Sequence, residues 1–209
     1  HNDARRQRQM CIRDSTKDNK YKKLISRYNN IQMARKISLN SAYGAIGNQW
    51  FRYYDKAIAE GITKSGQLSI RWIENKLNKY LNNILKTNDD YVIASDTDSV
   101  YLTMDKLVTE TIKSDNVLSK TINFLDKVAS ESIEPYITKS YDELKQYTNA
   151  FANKMFMKRE VIADKGIWVA KKRYILNVWN SEGISYNESK LKIMGIEAVK
   201  SSTPAMCRA

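Results

Sequence analysis

The sequence contains little histidine, cysteine or proline, and the first two shortages exclude whole classes of site. His1 is the only histidine, which excludes a Cys/His zinc site and a Ser-His-Asp triad. Cys11 and Cys207 lie near opposite ends of the 209-residue chain, so a disulfide framework is not indicated. Any chemistry must therefore use carboxylates, lysines, arginines and hydroxyl groups.

Long hydrophobic runs are also missing. No apolar segment is long enough to span a bilayer, and the N-terminal residues lack the apolar region of a signal peptide. Yet 42% of the residues are hydrophobic and 28% are charged, which is too apolar a composition for wholesale disorder. We therefore expect a cytoplasmic protein with one core or two small subdomains, and no membrane partner.

The charge is distributed unevenly along the chain. The net charge is +12, with 11 Lys/Arg against 3 Asp/Glu in residues 1–50 and 11 against 5 in residues 151–209. Two basic flanks around a mildly acidic centre suit a polyanion held near a carboxylate-bearing site. A well-solvated surface would account for the same charge pattern.

The first fifteen residues are set apart from the predicted fold. The segment Met10–Ser15, MCIRDS, resembles the translation of a transposon end used in preparing DNA for sequencing. We therefore expect residues 1–15 to be an assembly artefact, as an expression scar would be.

Hydrophobic periodicity predicts three helical regions, because apolar residues recur mostly at spacings of three and four over residues 17–47, 55–85 and 116–149. The candidate core residues of the second region share one helix face: Ile58, Ile62, Ser69, Ile73, Leu77, Leu81 and Ile84. Those of the third region are Leu118, Ile122, Leu125, Val128, Ile133, Tyr141 and Leu144.

Short β-branched runs predict a small antiparallel sheet. YVIAS and SVYLTM predict a hairpin with Asp96–Ser99 at its tip, Val100 and Leu102 on one face and Tyr101 on the other. Further strands are predicted over residues 154–164, 166–180 and 189–197, with SEGISYNE as a turn region. Helices segregated from a small antiparallel sheet make the fold class α+β.

Asp96 and Asp98 form the most specific candidate site. Residues two apart in an extended chain face the same side, about 6.5 Å apart, so both carboxylates can reach one divalent cation or a bridged pair of cations. Hard cations such as Mg²⁺ accept few carboxylates together with water and phosphate oxygens. An Asx turn that only caps the hairpin is the alternative interpretation.

Two further segments carry candidate binding residues. In RKISLNSAYGAIGN, helical spacing places Lys36, Asn40 and Tyr43 on one stripe, which suits a nucleotide or an ordinary amphipathic helix equally. In AKKRYILNVW, three consecutive cations followed by an aromatic residue are typical of a phosphate-backbone contact. An edge strand protected by lysines has the same pattern.

Taken together, these three segments resemble DNA polymerase family B. KISLNSAYG resembles the fingers motif K-x3-N-S-x-Y-G, DTDS the metal motif of the palm, and KKRY the strand that contacts primer and template. They occur in the order of that family, and the residues around them resemble the T-even bacteriophage branch. The resemblance covers roughly residues 30–204.

The resemblance implies roles for the matched residues. Asp98 would bridge two Mg²⁺ ions (Mn²⁺ being an alternative), with Asp96 beside it as the second catalytic carboxylate. Glu160 would be an acid near the metals, although Lys158 stands where that branch has a further acid. Lys36, Asn40 and Tyr43 would bind the incoming deoxynucleoside triphosphate. The implied DNA-binding residues are Gly44, Thr97, Lys171, Lys172, Arg173 and Tyr174.

The resemblance also implies a domain organisation and partners. Residues 16–54 would be a fingers helix and its return to the palm, residues 55–200 the palm, and residues 201–209 the start of a thumb. The family's other palm aspartate, in D-x-x-S-L-Y-P-S, is not in the sequence, so we expect the chain alone to be inactive. The partners would be primer–template DNA, deoxynucleoside triphosphates and a sliding clamp reached through sequence beyond Ala209, in the cytoplasm of a phage-infected bacterium.

Two alternatives belong to other classes of protein. A nucleotide-sugar glycosyltransferase also uses a D-x-D to hold a metal and a diphosphate, but it does not need the fingers motif. A non-catalytic nucleic-acid-binding module would share the charge and would leave Asp96 and Asp98 without a task.

Overall fold

The computed structural model describes residues 21–112, 118–200, 202–204 and 206. The predicted artefact, residues 1–15, lies outside them. The chain divides into two compact units, His1–Lys64 and Ser65–Ala209. The helices are α1 (Lys22–Ile46), α2 (Lys56–Leu85), α3 (Asp105–Thr111), α4 (Leu118–Val128), a π-helical turn (Ala129–Ile133), α5 (Glu134–Tyr147) and a short 3₁₀ helix (Glu197–Val199). The strands are β1 (Val92–Asp96), β2 (Ser99–Leu102), β3 (Val161–Ala170), β4 (Arg173–Ser181) and β5 (Ile184–Met194).

The first unit contains α1 and the start of α2. No residue of α1 is buried, so this helix contributes its side chains to a surface and not to a core. The Asp55 carboxylate caps α2 by accepting a hydrogen bond from the Ile58 backbone N–H at 3.0 Å, which satisfies one of the free N–H groups of the first turn.

A helical core forms the centre of the second unit. Ile73 and Leu77 of α2 pack against Ile133, Ile137, Tyr141 and Leu144 of the later helices, and all six are at most 9% exposed. Their three- and four-residue spacing places them on facing helix stripes, which is the arrangement that removes apolar surface from water.

The β1–β2 hairpin is fixed against α2 by the loop that precedes it. Asn78 donates its amide N–H to Asp90 at 2.7 Å and accepts the Tyr91 backbone N–H at 2.9 Å. Asn82 similarly holds the backbone of Asp89. The two strands are antiparallel and Asp96 pairs with Ser99, so the hairpin tip is at residues 97–98, as predicted.

The two faces of β2 contact different cores. Val100 and Leu102 pack on the helical core, whereas Tyr101 packs against Tyr174, Leu176 and Val178. This alternation confirms the predicted faces, and it joins the hairpin to both halves of the second unit.

Strands β3, β4 and β5 form an antiparallel sheet with β4 in the middle. Alternate residues of β4 are buried: Tyr174, Leu176, Val178 and Asn180. The turns are short, with Lys171–Lys172 between β3 and β4 and Glu182–Gly183 between β4 and β5. Glu182 and Gly183 both have positive φ angles, as a type I′ hairpin turn requires, whereas in the β3–β4 turn Lys172 has a positive φ and Lys171 does not.

The α+β class is confirmed, and the predicted helices largely agree with the structure. Four of the predicted core residues are not in the core, however. They are 42–53% exposed: Ile58, Ile62, Ile84 and Leu118. Helix α3 was not predicted from the sequence.

The predicted strand boundaries in the second half were wrong. A strand break was expected near residue 165, but β3 runs through it and the chain turns at Lys171–Lys172. The lysines therefore lie in a turn and not along a strand. SEGISYNE is a turn only at its start, because β5 begins at Ile184 and continues to Met194.

We expect the helical core to dominate the stability of the chain. Ile73 is fully buried and Ile84, on the same helix, is 50% exposed. Ile73→Ala should lower the free energy of unfolding by about 3 kcal/mol, because it removes buried contacts and leaves a cavity. Ile84→Ala should cost less than about 1 kcal/mol. Urea denaturation followed by circular dichroism measures both, and equal losses would contradict the assigned core.

Candidate active site

The hairpin tip presents two carboxylates in a tight turn. The Asp98 backbone N–H donates to the Asp96 carbonyl oxygen at 2.6 Å, and the Ser99 hydroxyl donates to the same oxygen at 3.1 Å. Thr97 adopts a left-handed backbone conformation, with a φ of 56°. A β-branched residue in that region is strained, so the turn is held by its hydrogen bonds rather than by the preference of Thr97.

Asp98 opens into a cleft. The cleft has a volume of about 200 Å³ and is lined by residues of α2, the hairpin tip, α5 and the segment that follows α5. The lining includes Ser69, Thr97, Asp98, Tyr141 and Lys154. The Asp98 side chain makes no hydrogen bond or ion pair with any described residue, so its carboxylate oxygens are available to a ligand.

Asp96 has different surroundings, although it lies only two residues away. Its Oδ1 accepts a hydrogen bond from the Thr97 hydroxyl at 3.0 Å. Burial raises the pKa of the Tyr174 hydroxyl well above its ordinary value, and Tyr101, Glu160 and Asp96 raise that pKa further. Tyr174 therefore stays protonated and neutral near these two carboxylates.

Glu160 lies just before β3 and forms an ion pair with Lys192 of β5, at 2.7 Å between Oε1 and Nζ. Its neighbour Arg159 fixes this segment in place. The Arg159 guanidinium donates to Asn180 at 2.8 Å and forms an ion pair with Asp126, while its backbone N–H donates to Glu134 at 2.9 Å. Sequence reasoning missed this network, because its partners are 21 to 33 residues away.

The three carboxylates predicted as metal ligands do not gather into one cluster. Within residues 21–112 and 118–200 and the few described residues after them, no group of three or more Asp, Glu, His or Cys side chains could hold a metal ion. Asp96 and Asp98 remain a pair of hard oxygen donors with a cleft beside them. The pair fits part of a Mg²⁺ donor set, the remainder of which must come from substrate, water or another carboxylate.

The predicted nucleotide-binding residues lie on α1, in the first unit. Lys36, Asn40 and Gly44 are exposed, and Tyr43 is 46% exposed. Thr63 donates its only hydroxyl hydrogen to the Ala59 carbonyl oxygen, so the Tyr43 hydroxyl is the donor in their 2.8 Å hydrogen bond. The Tyr43 side chain is thereby fixed, and a Cβ at Gly44 would meet nothing within 4 Å, so a ligand can approach the helix there.

The predicted DNA-contacting cations differ in their partners. Lys171 and Lys172 occupy the β3–β4 turn and form no ion pair with any described residue. Arg173 instead forms an ion pair with Glu197. A backbone hydrogen bond, Lys200 and Arg173 together lower the pKa of that carboxyl. Tyr174 is 6% exposed, so its ring belongs to the sheet core.

Gly195, directly after β5, contacts the β3–β4 turn that carries Lys171 and Lys172, which we call the basic turn. It has a φ of +66°, and a Cβ built on it would lie 2.1 Å from the Lys172 carbonyl oxygen. No side chain can occupy that space without moving the backbone of the turn. The end of β5 therefore packs directly against the turn that carries Lys171 and Lys172.

Comparison of the sequence with known proteins identifies the family. A model described as DNA polymerase family B matches residues 3–207. The chain belongs to DNA polymerase family B. It is 47% identical over 183 residues to the DNA-directed DNA polymerase of Escherichia phage RB69, covering 83% of this chain and 20% of that protein. It is 44% identical over 189 residues to that of Enterobacteria phage T4, covering 84% and 21%.

More distant similarity is found in a third viral polymerase. The DNA polymerase beta of African swine fever virus (isolate Tick/Malawi) is 26% identical over 176 residues, covering 81% of this chain and 14% of that protein. The family and the phage-like branch predicted from the ordered motifs are confirmed. The chain spans about a fifth of the length of the two phage relatives.

Among the helices that the structure describes, none is both long and apolar enough to cross a membrane.

We expect Gly195→Ala to distort the basic turn. The substitution should cost about 3 kcal/mol or more of unfolding free energy, because a positive φ is unfavourable for alanine and the added Cβ overlaps the Lys172 carbonyl oxygen. Gly183→Ala is the matched control, since Gly183 has a φ of +88° but open space around its Cβ position. That variant should cost about 1–2 kcal/mol. Equal losses in urea denaturation would show that the contact with Lys172 is unimportant.

Proposed function

We propose that this chain is the fingers and palm portion of a template-directed DNA polymerase that extends a primer during phage replication. The observation that carries the proposal is the hairpin tip, where Asp98 opens into a cleft while Asp96 lies beside it. Family membership supports the same reading, and it leaves the glycosyltransferase alternative without support.

The reaction would be a nucleotidyl transfer. The primer 3′-hydroxyl loses its proton to solvent, its oxygen forms a new P–O bond to the α-phosphorus of a deoxynucleoside triphosphate, and the bond from that phosphorus to the departing pyrophosphate breaks. Two Mg²⁺ ions, or Mn²⁺ in their place, would supply activation of the hydroxyl and stabilisation of the leaving group when bound. In this chain Asp98 and Asp96 would hold them, with Glu160 as a nearby acid.

The remaining residues of the site would bind and orient substrates. Lys36 would attract the triphosphate as a point charge, and Asn40 would donate or accept a hydrogen bond beside it. The fixed ring of Tyr43 and the open surface at Gly44 would pack against the nascent base pair. Thr97, exposed at the hairpin tip, would lie near the primer terminus.

The basic turn would contact the backbone of the primer strand. Lys171 and Lys172 have no acidic partner among the described residues, so their charge is available to phosphates. Arg173 and Tyr174 would support them, the first through Glu197 and the second from the sheet core. The partners would be primer–template DNA, deoxynucleoside triphosphates and a sliding clamp, in the cytoplasm of the infected bacterium.

The basic turn can be tested by the salt dependence of DNA binding. Lys171→Gln combined with Lys172→Gln should weaken binding of a primer–template duplex. The slope of log affinity against log salt concentration should become shallower by about 1–2, because fewer counterions are released when fewer phosphates are contacted. Lys79→Gln combined with Lys139→Gln removes the same charge from exposed helix positions and should change the slope by less than about half as much. Fluorescence anisotropy over a range of salt concentrations measures both, and identical slopes would contradict the proposed contact.

We further propose that the chain alone does not extend a primer. Asp96 and Asp98 belong to no three-carboxylate cluster within the described residues, and the family's D-x-x-S-L-Y-P-S aspartate is not in the sequence. A labelled primer–template incubated with the purified chain, deoxynucleoside triphosphates and Mg²⁺ should therefore give no extended product, with a complete family B polymerase as positive control. Extension that Asp98→Asn abolishes would show that these residues suffice.

A further inference from the structure

The lining of the cleft beside Asp98 includes a lysine, Lys154, to which neither the sequence motifs nor the related proteins assign a role. Of the side chains that line it, Asp98 is the acidic one and Lys154 is the basic one. The two do not form an ion pair, and Lys154 has no hydrogen bond or ion pair with any other described residue. Two opposite charges therefore border one cleft without neutralising each other.

Lys154 lies between residues that are themselves anchored. Asn153 donates its side-chain N–H to Asp142 of α5 at 2.8 Å and accepts the Met155 backbone N–H at 2.9 Å. The Ser69 hydroxyl, on α2, contacts the Met155 sulfur at 3.0 Å. The residues on either side of Lys154 are thus tied to both walls of the cleft, and Lys154 itself forms part of the lining.

Tyr141 contributes a second donor to the same cleft. Its ring is part of the helical core and it is 4% exposed, but its hydroxyl makes no hydrogen bond with any described residue. Burial raises the pKa of this hydroxyl, so it keeps its proton at neutral pH. The hydroxyl can therefore donate a hydrogen bond to an acceptor that enters the cleft.

We propose that Lys154 and Tyr141 bind a phosphate group in the cleft beside Asp98. A nearby positive charge favours an anion beside the Asp98 carboxylate, and Lys154 is the cationic side chain in the cleft lining. The ammonium gives a charge-assisted hydrogen bond and the phenol a neutral one. This inference rests on the proposed function, under which the phosphate comes either from the primer strand or from the deoxynucleoside triphosphate.

Three variants test the assignment. Lys154→Gln removes the charge, Tyr141→Phe removes the hydroxyl but keeps the buried ring, and Lys139→Gln removes a charge from an exposed position on α5 outside the cleft. The purified chain and each variant are titrated, with Mg²⁺ present, against a fluorescent primer–template duplex and separately against a deoxynucleoside triphosphate. Circular dichroism confirms that each variant is folded.

We expect Lys154→Gln to weaken binding of one probe roughly tenfold and Tyr141→Phe to weaken binding of the same probe roughly threefold. Lys139→Gln should change either affinity by less than about twofold. A loss confined to the duplex identifies a primer phosphate as the ligand, whereas a loss confined to the triphosphate identifies the nucleotide.

The contrary outcomes separate the two proposals. If the unmodified chain binds both probes and Lys154→Gln behaves as Lys139→Gln does, the phosphate site is wrong and the proposed function stands. If Lys154→Gln alone weakens binding, Lys154 acts as a general surface charge and the paired site with Tyr141 is wrong. If the unmodified chain binds neither probe, the proposed function and the phosphate site are both wrong.

Discussion

The position of the β1–β2 hairpin depends on side chains that leave strand β2 in opposite directions. Val100 and Leu102 are packed on the helical core, and Tyr101 is packed on the sheet core. A shift of the strand by one residue would exchange these faces and expose both sets of contacts. The register of the hairpin is therefore set by two cores at once, and the place of Asp96 and Asp98 at its tip follows from that register.

The charged residues of the second unit divide into two groups. Arg159, Arg173 and Lys192 each have a carboxylate partner and connect segments that are distant in the sequence. Lys154, Lys171 and Lys172 have no such partner among the described residues. A cation already paired gives less attraction to a polyanion, so the three paired residues mainly connect parts of the fold, whereas Lys154, Lys171 and Lys172 keep their charge available beside the cleft and in the β3–β4 turn.

The sequence allowed the hairpin to be predicted because its signal is local. Alternation in YVIAS and SVYLTM identifies both strands, and the family motifs then identify Asp96 and Asp98. The basic turn was misplaced because Lys171 and Lys172 are not typical turn residues, and the demand for a positive φ at Lys172 is visible only in the backbone. The Arg159 network and the contact of Gly195 with Lys172 involve partners more than twenty residues away, for which no periodicity gives a signal.

Helix α1 contributes no buried residue, and this has a thermodynamic consequence for any ligand that binds to it. A 25-residue helix that gains nothing from a core is stabilised mainly by its intrinsic propensity, which is only marginally favourable in water. A ligand that binds Lys36 and Asn40 would then also select the helical state of the residues between them. The enthalpy and heat capacity of binding such a ligand would therefore include a contribution from helix formation, in addition to the contacts themselves.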